Sequence, residues 1–179
     1  IAEGARWSEH WAYVQPKKHD LPVVKKTDWV GNWIDRFTLK HFEDNAQDPA
    51  TPADSVTLVR RLHFDLIGLP PEPEVVETFA RDPSEEAYEA LVERLLASEH
   101  HGEKMASYWL DLVRFADTVG YHGDQDHSIT PYRDWVIDSF NDGLPFDQFT
   151  REQLAGDLIL DPTIDQTIAT GYNRLLQTS

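Results

Sequence analysis

Asp111, Arg114 and Asp117 stand at i, i+3 and i+6 in a segment whose other members are Trp109, Leu110, Leu112, Val113, Phe115 and Ala116. On a helix the first two lie one turn apart on one face, and Asp117 trails toward the same side. One guanidinium can therefore bridge two carboxylates. The apolar neighbours imply that the trio is at least partly buried, and buried charges are kept only when paired. Two readings follow: a buried salt-bridge network that fixes the helix, and a substrate or metal site built from the same carboxylates. Arg133 and Asp134, which open the next helix, extend either one.

Between those two helices, Gly120 to Thr130 gathers two His, two Asp and two hydroxyl residues beside two Gly in eleven positions. Imidazoles next to carboxylates are the residue types of general acid/base catalysis, and polysaccharide cleavage commonly sets carboxylates on either side of the bond. The candidate catalytic set is Asp111, Arg114, Asp117, His122 and Arg133. Asp124, Asp126, Ser128 and Thr130 echo the alternating oxygen ligands of a calcium loop. The EF-hand pattern fails, however, because Ile129 occupies the sharp turn and Trp135 the twelfth position. Looser metal sites remain: calcium on Asp124 and Asp126 with Asp117, or a transition metal on His122 and His127. The metal candidates are thus Asp124, Asp126 and His127, against a plain solvated loop. His100 and His101 follow Ser98-Glu99 at a helix start, where capping or packing is commoner than ligation. Sequence signatures for nucleotide, dinucleotide, serine-hydrolase and zinc-protease sites are absent.

The elements that must position these groups are helical. Apolar residues recur at helical spacing from Trp33 to near Asp48-Pro49. A second helix begins after Thr51-Pro52-Ala53-Asp54 and stops at Gly68, a third runs from Pro73 to about Ala80, and Ser84 caps a fourth through Leu96. The fifth spans about His101 to Asp117. Pro131 starts a sixth, Pro145 a seventh, and a short helix is expected within 156–179. Without strand-like alternation, the fold class is all-α: an irregular bundle of about seven helices behind an extended aromatic and Pro-rich strap. That strap, residues 1–29, carries Trp7, Trp11, Tyr13 and Trp29, which either pin it to the body or form a platform for a glycan or partner. Residues 30–179 form the helical domain.

Composition narrows the classes. The chain has 179 residues, with 16 Lys plus Arg against 32 Asp plus Glu, and a net charge of -16. Such a chain repels phosphate backbones, so nucleic acid is not an expected partner, and no segment is apolar for long enough to span a bilayer. Cysteine is absent, which excludes disulfides, thiolate metal sites and the C-x-x-C-H attachment of a c-type haem within these residues. Opening on Ile1 and ending on Ser179 without a stop signal, the chain reads as a piece of a longer protein, cut short at its C-terminal end.

Four ordered blocks carry a resemblance: Arg60 to Pro71 (RRLHFDLIGLPP), Tyr108 to Asp117 (YWLDLVRFAD), Tyr132 to Ile137 (YRDWVI) and Glu152 to Leu158 (EQLAGDL). Together they resemble the haem-free domain that follows a cytochrome c domain in large planctomycete proteins, the planctomycete cytochrome C-associated domain. Ile1 to Ala5 is similar to the last turn of the cytochrome domain that would precede it. Met105 and Tyr108 depart from the family pattern, which more often has Trp and His there. The resemblance implies a periplasmic or extracellular protein, a c-type haem in the preceding domain, and a further domain downstream. It also implies a setting in electron transfer and polysaccharide breakdown. The rival expectation is a non-catalytic module that binds a glycan or a partner, or serves architecture.

Overall fold

The computed structural model describes residues 4, 8–118 and 123–175. The chain divides into two compact units, Ile1–Pro52 and Ala53–Ser179. Among the described residues there are eight α-helices and no strand, so the all-α expectation holds.

In the first unit, α1 (Trp33–Asp44) opens on a reciprocal cap. The Asn32 side chain accepts from the Ile34 and Asp35 amides, while the Asp35 carboxylate accepts from the Asn32 amide. The helix ends earlier than the Asp48-Pro49 signal suggests. Ala46 turns left-handed at φ 51°, and the Gln47 amide returns to the Phe42 carbonyl. Glu43 accepts the Lys25 and Lys26 amides, and the Trp29 ring meets Phe42 edge-on. The lead-in is therefore fastened at residues 25–29. Farther out, Trp11 and Tyr13 are 80% and 83% exposed and, among the described residues, meet no aromatic ring other than that of His10, so they do not pin it. Trp7 lies outside the described residues.

The second unit holds α2 (Ser55–Leu66), α3 (Pro73–Arg81), α4 (Glu85–Leu96), α5 (Glu99–Leu112), α6 (Thr130–Asn141), α7 (Phe146–Ala155) and α8 (Ile164–Ala169). Asp54, Ser84 and Ser98 cap α2, α4 and α5 by accepting backbone amides. Gly68, at φ 73°, ends α2 with its amide on the His63 carbonyl. Two apolar clusters result. One joins α2, α3 and α4 through Val59, Phe79, Leu91 and Leu95. The other joins α5 to α8 through Ala106, Tyr132, Trp135, Val136, Phe149 and Ala169. At the seam, His101 Nδ1 on α5 lies 2.8 Å from the Leu66 carbonyl at the end of α2, and the Lys104 stem covers Gly68.

Helix α5 is shorter than expected. It stops at Leu112 because Arg114 takes φ 60°, the Arg114 amide bonds the Asp111 carbonyl, and the Phe115 amide returns to the Leu110 carbonyl. The turn delivers Phe115 to the core, where its ring stacks on Tyr132 at 6.5 Å. Asp111, Arg114 and Asp117 therefore do not share a helical face.

Candidate functional site

Because α5 ends early, Asp111, Arg114 and Asp117 are all exposed rather than partly buried, and among the described residues no ion pair joins them. Arg133 turns to its neighbour instead, donating to Asp134 from Nε at 3.0 Å and from Nη2 at 2.8 Å. The following loop returns on itself. Thr118 and Asp126 form an antiparallel bridge, and the His127 amide donates to the Asp117 carbonyl at 2.7 Å. Asp124 is left-handed at φ 38°, and both Asp124 and Asp126 face solvent. Among the described residues no three His, Asp or Glu side chains group closely enough to hold a metal ion. His122 lies outside the described residues.

Residues of three of the four sequence blocks converge elsewhere. From α5, Trp109 Nε1 donates to Gln153 Oε1 at 3.0 Å and to the Tyr132 hydroxyl at 3.2 Å. That hydroxyl donates to the same Gln153 oxygen at 2.6 Å. Gln153 Nε2 donates to the Phe149 carbonyl, and Asn173 Nδ2 to the Gln153 carbonyl. Tyr132 and Gln153 are 1% and 2% exposed, and burial pushes the Tyr132 phenol up to about 12. Around this triad Trp135 stacks on Phe149 at 5.1 Å. Gly156 is needed because a Cβ there would sit 2.0 Å from the Gln166 carbonyl oxygen. In the first block, buried His63 bonds the Val59 carbonyl through Nδ1. These residues are spent on packing and on satisfying one another.

Beside the triad, α6, α7 and α8 leave a groove of about 500 Å³ that the linear pattern does not disclose. Asp134 and Asp138 on α6 and Asp142 at its C-terminal cap follow one another at four-residue intervals. Glu152 comes from α7 and Asp165 from α8, and Trp135 and Ile168 supply apolar lining. Glu152 is 5% exposed, and its Oε1 accepts from Gln148 Nε2 at 2.9 Å and from Gln166 Nε2 at 3.2 Å. The repeated Asp spacing was the available signal. What it lacked was any sign that Glu152 and Asp165 would join the same wall. An equally large cavity, about 510 Å³, lies between α3 and α4, but its lining is mainly apolar. Concentrated carboxylates over an apolar floor suit the binding of an organic cation.

A family model described as PSCyt2, Protein of unknown function (DUF1549), matches residues 33–179. No curated protein and no solved structure matches the chain.

Proposed function

Because the chain belongs to the planctomycete cytochrome C-associated family, we propose that it is a haem-free docking scaffold, holding a cytochrome c domain beside its neighbours in an exported protein. One observation carries this reading. Trp109, Tyr132 and Gln153, one from each of three of the blocks that make the chain similar to its family, are used to build the core through one hydrogen-bonded network. A scaffold needs such a rigid interior, with its working surface outside. Electron transfer and polysaccharide breakdown are the wider setting we assign to the parent protein, on the strength of the family resemblance. Any c-type haem must be attached elsewhere, since this chain has no cysteine.

The test uses the parent protein with Asp111, Arg114 and Asp117 all changed to Ala. Haem reduction and glycan turnover should stay at the level of the unchanged protein. Separately, the chain should associate with the parent's cytochrome domain in a titration followed by calorimetry. Lost turnover in a variant that melts normally would instead favour a catalytic site at Asp111, Arg114, Asp117, His122 and Arg133. Absence of association would remove the docking reading.

A further inference from the structure

We propose that the groove between α6, α7 and α8 receives a basic protein segment, taking a lysine or arginine side chain against Glu152 and Ser139 under a rim of Asp138, Asp142 and Asp165. This rests on the docking reading and names its surface.

Three observations carry it. Asp138 stands in the last turn of α6 and Asp142 at its C-terminal cap, four residues apart, where each repels the other and both oppose the negative end of the helix dipole. Such a placement works against the helix locally, and a cation bound between them would relieve it. Ser139 is 7% exposed, and its hydroxyl has no hydrogen-bond partner among the described residues. No fully buried side-chain polar atom there lacks a partner, so this hydroxyl opens into the groove that Ser139 lines. Glu152 commits only Oε1 to the two glutamine amides, which leaves its second carboxylate oxygen for a donor. Among the described residues no three of the carboxylates group closely enough to hold a metal ion, yet they line a slot together with Trp135 and Ile168. That geometry fits a long side chain whose methylenes lie on apolar surface while its charged head meets oxygen atoms.

The test is fluorescence anisotropy of a labelled oligolysine peptide on the full chain, at about 50 mM and about 300 mM salt. The variants are Asp138→Asn with Asp142→Asn, Ser139→Ala, and a control that loses the same charge on α4, Glu89→Gln with Glu93→Gln. Affinity should fall about 10-fold in the aspartate pair and about 3-fold in Ser139→Ala, while the control changes less than about 2-fold. Equal losses in the aspartate pair and the control would reduce the effect to overall charge and overturn the proposal, as would no binding to the unchanged chain. Should Ser139→Ala fail to fold, the aspartate pair decides alone, since both its residues are exposed. Peptide binding in the groove without association of the cytochrome domain would uphold the site and refute the docking reading. Cytochrome association unaffected by the aspartate pair would do the reverse.

Discussion

Replacing Gln153 by Leu should cost far more than replacing Tyr132 by Phe, although both changes break the same buried triad. In Tyr132→Phe, Trp109 Nε1 keeps Gln153 Oε1 at 3.0 Å, so no buried group is stranded. The loss is about 1 kcal/mol, the net worth of one hydrogen bond. In Gln153→Leu, Trp109 retains only the Tyr132 oxygen at 3.2 Å, and the Tyr132 proton loses its acceptor. An unpaired donor in a residue 1% exposed adds a desolvation cost, bringing the loss to about 2–4 kcal/mol. The double variant removes the stranded hydroxyl but leaves the Trp109 indole without either acceptor, so it should cost about as much as Gln153→Leu alone and less than the sum of the two single losses. Urea unfolding followed by near-ultraviolet circular dichroism reads all three. The alkaline limb gives a second check. Burial holds the Tyr132 phenol at about 12 against an ordinary value of 10, so between those values the folded state keeps a proton that the unfolded state has lost. Its contribution is therefore fully present below pH 10 and disappears as pH rises toward 12. The lost stability is about 1–2 kcal/mol after allowance for solvent screening, and Tyr132→Phe should lack that part of the slope. Equal costs for the two single variants, or strict additivity in the double, would refute the triad as described.

Asp138→Asn with Asp142→Asn should raise stability by about 0.5–1 kcal/mol, by removing a like-charge pair and its conflict with the helix dipole, and thermal melting at low salt checks it. Gly156→Ala should cost about 3 kcal/mol or prevent folding, since its new methyl would sit 2.0 Å from the Gln166 carbonyl oxygen. Soluble yield and a denaturant midpoint close to the unchanged chain would contradict that contact. His100 titrates above its ordinary value because its Nδ1 bonds the Glu103 carboxylate at 2.7 Å. The stabilisation it contributes is present below the ordinary imidazole value and lost as pH rises through the raised one. Glu103→Gln should lower the midpoint, and an unmoved imidazole proton signal in a magnetic-resonance titration would count against the pair.

How far the sequence was legible depended on whether a local residue announced each feature. Asp54, Ser84, Pro131 and Pro145 mark helix starts by their own chemistry, and α2, α4, α6 and α7 begin beside them. The ends of α1 and α5 carry no such mark. Ala46 and Arg114 adopt the left-handed conformation without being glycine, a cost met by the amides that return to Phe42 and Leu110. Reading α5 through to Asp117 then placed Asp111, Arg114 and Asp117 on one face, an arrangement that fails once the helix stops at Leu112. The triad could not be seen in one dimension, because Trp109, Tyr132 and Gln153 sit on three helices and meet only when α5, α6 and α7 come together. The acidic groove was half visible: the spacing of Asp134, Asp138 and Asp142 is in the sequence, whereas Glu152 and Asp165 join them only by tertiary placement.

The seam where His101 meets the Leu66 carbonyl has a consequence for cooperativity. The α2 to α4 cluster and the α5 to α8 cluster each have their own apolar interior, so they are natural foldons, and the first turns of α5 transmit stability between them. Breaking that imidazole contact would uncouple their unfolding without unmaking either interior. Slow amide exchange would then split into two classes, and a ligand seated on α6 would protect the second class while leaving the first unchanged.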